Sequence, residues 1–167
     1  MNEPQIRVAA RGDLPVVAAF RRTWNVRPEV LPATEDGAAF DDRFSEWFCE
    51  EQDRRTLWVA WAGDQPIGLT GLLEYRAMPT PDLPQRCWGY VGNMYVDAAH
   101  RNRGLGARLL ATVLAAADDR GYRRVVLAPS ARSIPFYRRA GFVDAGPPAD
   151  GDRLMVRPAH GGLGGPR

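Results

Sequence analysis

Apolar positions along the chain change their period several times, and each change marks a structural element. Gln5–Ala9 reads as a short β stretch leading into the turn Arg11-Gly12-Asp13. Asp13 fits the N-cap of a helix with Pro15 in its first turn, where the missing N–H does little harm. That helix runs to about Trp24 and stops before Pro28, and the Pro-rich segment Arg27–Ala33 reads as a loop. Thr34 then caps a second helix, in which Phe40, Phe44, Trp47 and Phe48 recur at helical spacing. Thr56–Ala62 and Ile67–Tyr75 read as two strands around Gly63-Asp64-Gln65-Pro66, a hairpin pattern.

Three prolines make Arg76–Arg86 a loop before a third strand, Trp88–Val96, where Gly89 and Gly92 mark a bulge or the close approach of another backbone. Beyond Arg101–Gly106 comes a helix with Leu105, Leu109, Leu110, Val113, Leu114 and Ala117 on one face. It ends near Arg120, with Gly121 just past its cap. Arg124–Ala128 has the apolar run of a strand covered on both faces. A short helix over Ser133–Arg139, closed by Gly141, and a strand pair at Phe142–Asp144 and Arg153–Val156 complete the order. No repeat or dividing linker interrupts it, and the Gly-rich stretch from Ala159 reads as a flexible tail.

A length of 167 residues suits one compact core, and 45% hydrophobic with 25% charged residues is ordinary globular composition. No apolar run reaches the roughly 20 residues that cross a bilayer, and the start lacks the basic-then-apolar order of a signal peptide. Cys49 and Cys87 lie far apart, without CxxC or matched His spacing. Reduced thiols in a cytoplasmic enzyme, with no metal, are therefore the expectation.

Charge adds a second layer. All 22 basic residues are arginine, for which a GC-rich coding bias is reason enough, and the net charge is only +2. Their placement says more. Glu35, Asp36, Asp41, Asp42, Glu46, Glu50, Glu51 and Asp53 face Arg43 alone, whereas nine arginines between Arg101 and Arg139 face only Asp118 and Asp119. One part of the chain suits a cation and the other an anion.

The anion side has a definite motif. A strand running through Arg101-Asn102-Arg103-Gly104-Leu105-Gly106 into a helix presents unpaired backbone N–H groups at the positive end of the helix dipole. Glycines let a ligand approach closely, and arginine forks suit phosphate oxygens. Leu109 stands where a dinucleotide fingerprint needs its third glycine, and the Gly-Lys-Ser/Thr of a P-loop is absent. A second signature is the run from Ser130 to Phe142, with Tyr137 a few residues before Gly141-Phe142.

In these two motifs the chain resembles the GNAT acetyltransferase superfamily, whose pattern Gln/Arg-x-x-Gly-x-Gly/Ala is matched by Arg101, Gly104 and Gly106. The resemblance covers about Trp88–Phe142. It implies a mixed α/β fold (α+β): a mostly antiparallel sheet of about six to seven strands with a splayed parallel pair, flanked by about four helices, in one domain over residues 1–158. It implies acetyl-CoA as co-substrate, held by Met94, Tyr95 and Val96 along the pantetheine arm and by Arg101, Asn102, Arg103, Gly104, Leu105 and Gly106 at the pyrophosphate. An amide near Met94 would polarise the thioester carbonyl, and Tyr137 would stand beside the sulfur. Ser130 occupies a place where the family often has Asn, and it still offers a hydroxyl to the cofactor arm.

The acceptor follows from the chemistry. An alkyl amine with a pKa of about 10.4 costs roughly 4.6 kcal/mol to present neutral at pH 7, whereas an α-amine costs about 1 kcal/mol. Glu74 is the first candidate base, with Glu46 and Glu50 next. Trp24, Glu46 and Glu50 are the candidates for the acceptor pocket, and the acidic segment favours a cationic small-molecule or peptide amine. The expected activity is N-acetyl transfer by direct attack in a ternary complex. The alternatives are a non-catalytic acyl-CoA-binding regulatory module of the same fold and an arginine-rich nucleic-acid binder, which the scattered arginines do not favour. No membrane partner is expected, and pairing into a homodimer is left open.

Overall fold

The computed structural model describes residues 3–24, 37–81, 86–146 and 153–158. The expected loop Arg27–Ala33, the Thr34 cap, the Trp24 side chain and the tail from Ala159 lie outside the described residues. Strand β1 is Gln5–Val8, followed by helices α1 (Leu14–Trp24) and α2 (Gly37–Glu51). The hairpin is β2 (Arg55–Ala62) and β3 (Gln65–Arg76), followed by β4 (Cys87–Val96) and α3 (Leu105–Asp119). Then come β5 (Arg124–Leu127), α4 (Ile134–Arg139), β6 (Val143–Asp144) and β7 (Met155–Pro158). Among the described residues one seven-stranded sheet in the order β1-β2-β3-β4-β5-β7-β6 contains a single parallel pair, β4 with β5, as the family resemblance implied.

Asp13 starts no helix as a simple cap. It closes a 3-10 turn, and its carboxylate accepts from the Ala10 N–H at 2.7 Å and from Arg7 Nη2 at 2.9 Å, which anchors β1 to the start of α1. Helices α1 and α2 cover one sheet face through Leu14, Val17 and Phe44 against Leu57, Val59 and Leu69. The larger core lies on the other face, where Leu110, Val113, Leu114 and Ala117 of α3 meet Leu72, Val91, Tyr122, Tyr137 and Phe142. No helix among the described residues is long and apolar enough to cross a membrane. Cys49 and Cys87 are free.

Two features of β4 open the sheet. Its parallel ladder with β5 has only the rungs Gly89↔Val125 and Tyr90↔Val126, so the strands part beyond Tyr90. Toward β3 the register passes from Gly71↔Gly92 to Leu69↔Tyr95, one extra residue on β4, with Asn93 in the left-handed region at φ 56°. This bulge twists the strand away from its neighbour. It centres on Asn93 rather than on either glycine, because Arg21 of α1 donates to Asn93 Oδ1 at 2.9 Å and holds the residue in a conformation asparagine tolerates.

Gly89 has a different role. It is approached by side chains, not by another backbone: a Cβ there would stand 2.7 Å from Leu72 Cδ1 and 3.0 Å from Tyr122 Cδ2. Gly89→Ala is expected to cost about 1–3 kcal/mol of unfolding free energy through overpacking, measurable by urea denaturation.

Candidate active site

Between β4 and α3 the chain builds an anion seat from ordinary local chemistry. Asp97 caps a 3-10 turn over Ala98–His100, its Oδ1 accepting from the Ala99 N–H at 2.9 Å. Asn102 at φ 59° and Gly104 at φ 81° then bend the chain into α3. The first amide of α3 to find an intrahelical carbonyl is that of Arg108, which donates to the Gly104 C=O at 3.1 Å. Leu105, Gly106 and Ala107 therefore begin the helix with N–H groups that need an outside acceptor.

A cleft of about 820 Å³ opens at this helix start. Met94, Val96, Arg101, Asn102, Gly104 and Gly106, all expected to bind the cofactor, line it. Among the described residues its walls include Arg101 and Arg139 and no carboxylate, so its charge favours an anion. The donor set fits a diphosphate: helix-terminal amides at one end, guanidinium groups beside them, and an apolar corridor along Met94, Leu110 and Leu114.

Arg101 is less free than the motif suggests. Its Nε donates to the Val96 carbonyl at 2.9 Å, and its guanidinium lies 5.9 Å from the Tyr95 ring centroid. One edge of the fork is thus committed to β4, and the Val96 carbonyl is already occupied. Tyr95, expected at the cofactor, turns its ring the other way and packs on Phe20 at a centroid distance of 5.4 Å. Tyr95 is not among the residues that line the cleft, unlike its neighbours Met94 and Val96. Leu105 is buried in the core with Leu109, so its amide is the part that faces a ligand. Arg103 is exposed and lies outside the lining, as does Ser130. Ser130 Oγ instead donates to Ser133 Oγ at 3.0 Å, and Ser133 reaches the cleft.

Tyr137 is 7% exposed, with Phe136 and Phe142 packed edge-on at centroid distances of 5.0 and 5.8 Å. Burial first, and the nearby Tyr90 phenol second, push its pKa up to about 12. A neutral phenol therefore sits behind Phe136, which lines the cleft.

The candidate bases are placed elsewhere. Both Glu74 oxygens are engaged: Tyr122 Oη donates to Oε2 at 2.6 Å and Arg76 Nε to Oε1 at 2.5 Å. The Tyr122 hydroxyl, then Arg76, holds this carboxyl below the usual range, which weakens it as a proton acceptor. Glu46 and Glu50 are exposed on α2, opposite the Phe40, Phe44 and Phe48 side that packs on the sheet, and neither lines the cleft.

A depressed pKa makes Glu74 a source of stability at neutral pH that disappears as pH falls through its folded value. Wild type is accordingly expected to exceed Glu74→Gln in unfolding free energy at pH 7, with the gap closing once pH drops below about 4.3, the unfolded value. Urea titrations at both pH values measure it.

Several wall residues carried no motif. Ala107 and Ala111 stand four apart and so share one face of α3, but Ala115 continues that spacing outside the lining, so the pattern alone does not single them out. Phe136 and Arg139 of α4 and its C-cap Ala140 lie beside Tyr137, and nothing in their sequence context sets them apart from core or surface positions.

Known proteins supply the comparison. The acetyltransferase (GNAT) family pattern matches residues 18–142. The chain is 33% identical over 93 residues to N-acetyltransferase 8B of Rattus norvegicus, a match spanning 54% of this chain and 40% of that protein. It is 32% identical over 117 residues to glucosamine 6-phosphate N-acetyltransferase 1 of Oryza sativa subsp. japonica, spanning 68% of this chain and 66% of that one. It thus spans less than two thirds of the length of either relative. A predicted acetyltransferase of Clostridium acetobutylicum, solved with acetyl-CoA, superposes with a TM-score of 0.73 at 20% identity, covering 89% of this chain and 95% of that one. By a family match over most of its length, with the same fold, this chain belongs to the GNAT acetyltransferase family.

Proposed function

We propose that this chain transfers the acetyl group of acetyl-CoA to a primary amine of a small-molecule or peptide acceptor, by direct attack in a ternary complex. One observation carries it: a cleft, without a carboxylate among the described residues that line it, that joins the open amides of α3 to Met94 and Val96 of β4, beyond that strand's last rung with β5. Relatives named as acetyltransferases of glucosamine 6-phosphate support a small amine acceptor. A sheet running from β1 to β7 supports treating residues 1–158 as one acetyltransferase domain.

Bound acetyl-CoA supplies an activated acyl group. The chain seats its diphosphate on the amides of 102–106 and between Arg101 and Arg139, and it lays the pantetheine arm along Met94 and Val96. Asn93 and Met94 stand outside the β3 register, so an amide at this bulge serves the thioester oxygen. The nitrogen lone pair forms the N–C bond, the C–S bond breaks with its pair on sulfur, and one proton leaves nitrogen while one reaches sulfur. Tyr137 donates a hydrogen bond to that sulfur. Full proton transfer from a phenol near 12 to a thiolate near 8.5 would run about 5 kcal/mol uphill. Glu74 holds Tyr122 and takes no proton from the amine.

The test is release of CoA thiol with an amine panel: glucosamine 6-phosphate, a polyamine, an aminoglycoside and a peptide with a free N-terminus. The panel spans both charge signs because the acidic segment favours a cation, whereas Arg21 lies beside the bulge. Turnover of at least one amine is expected. Binding of coenzyme A without turnover of any would turn the assignment toward a regulatory acyl-CoA-binding module.

A further inference from the structure

Tyr90 is not used by the cofactor cleft, yet it stands at the fork. Tyr90↔Val126 is the last parallel rung before β4 and β5 separate. Its neighbours fix the face it occupies. Gly89 lies against Leu72 and Tyr122, and Val91 belongs to the core under α3, so strand alternation turns Tyr90 toward the side of α1 and α2. Its ring extends along the strand over Gly92, where an added Cβ would meet only this ring, at 3.5 Å from Cε1. Tyr137 approaches the same fork from the α3 side, close enough that the Tyr90 phenol raises its pKa. Among the described residues no hydrogen bond engages the Tyr90 hydroxyl.

We propose that Tyr90 is a catalytic residue on the acceptor side, its phenol oxygen meeting the amine as nitrogen approaches the thioester carbon. The proposal rests on the acetyltransferase reading and adds the direction of attack. The cofactor enters from the α3 and α4 side, the amine comes from the α1 side, and two phenols on opposite sheet faces bracket the acyl carbon. An N–H donated to Tyr90 leaves the nitrogen lone pair aimed at that carbon, a positioning effect.

A thiol at the fork measures this without knowledge of the acceptor. Bromoacetyl-CoA is the probe: a protein thiolate forms a C–S bond to its methylene carbon, and bromide leaves. Tyr90→Cys is expected to gain the adduct about tenfold faster than the exposed hairpin variant Tyr75→Cys, with excess coenzyme A suppressing the reaction. Gly92→Cys, at an open position that leaves Tyr90 in place, reports on the same point should Tyr90→Cys fail to fold. Peptide mapping separates these adducts from any at Cys49 or Cys87. If coenzyme A binds but neither fork variant outpaces Tyr75→Cys, Tyr90 does not face the acyl carbon and the proposal falls alone. If calorimetry detects no binding of coenzyme A to wild type, both the proposal and the acetyltransferase reading fall.

Discussion

Gly106→Val is expected to remove coenzyme A binding while leaving the fold intact. Gly106 sits in the first turn of α3, where a Cβ would lie an ordinary 3.8 Å from Phe136 and from Val96 Cγ2. The first added carbon is thus tolerated, but the two methyls beyond it fill the floor of the cleft between these side chains. Valine is also a slightly better helix residue than glycine, so no stability is lost on that account. Losing two charge-assisted hydrogen bonds to a diphosphate amounts to roughly 3 kcal/mol, or about a 100-fold rise in Kd. Isothermal titration with coenzyme A and a thermal melt measure the two halves separately. A variant that melts early and binds weakly would report only a broken fold.

Tyr137→Phe is expected to lower kcat by about 10- to 100-fold, the value of a hydrogen bond to a developing thiolate, with the Kd for coenzyme A nearly unchanged. The ring keeps its edge contacts with Phe136 and Phe142, so packing is preserved. A phenol pushed up to about 12 stays protonated through the working range. Tyr137 therefore contributes no alkaline fall in rate below about pH 11, because ionisation begins to matter only within about a unit of the pKa. Stopped-flow thiol release across pH 6–10 checks this: the ratio of wild-type to Tyr137→Phe rates is expected to stay constant over that range, and a ratio that fell toward pH 10 would contradict a phenol that stays protonated there.

The sequence was informative where function depends on local backbone. Gly104 and Gly106, followed by the leucine stripe of α3, mark a turn whose amides must find an outside partner, and neighbouring residues alone determine it. The paired glycine turns and the short apolar β5 were legible for the same reason. What could not be read depends on contacts distant in sequence. Glu74 meets Tyr122 across 48 positions, which changes a free carboxylate into a committed one. Arg21 reaches Asn93 across 72 positions and fixes the bulge at a residue the glycines did not indicate. A near contact was equally hidden: Arg101 folds back on Val96, only five residues away, so even a correct motif arginine has part of its hydrogen-bonding capacity already used.

Charge segregation illustrates the same boundary. The arginine-rich run does contribute Arg101 and Arg139 to the cleft wall, but Arg108 turns away to the Pro4 carbonyl at 2.9 Å and Arg138 to Asp144 at 3.0 Å. On the acidic side Glu51 is held by Arg54 and Arg55, which leaves its carboxyl below the usual range. A local excess of one sign predicts a field, and the fold decides which charges remain available to a ligand.

In the proposed complex the amides between residues 102 and 106 seat the diphosphate. A crystal of the wild-type chain grown with acetyl-CoA tests this most directly. The pyrophosphate is expected within hydrogen-bonding distance of those amides, with the thioester at the fork beyond Tyr90. Density for the ligand elsewhere on the molecule, with these amides turned to solvent, would contradict it.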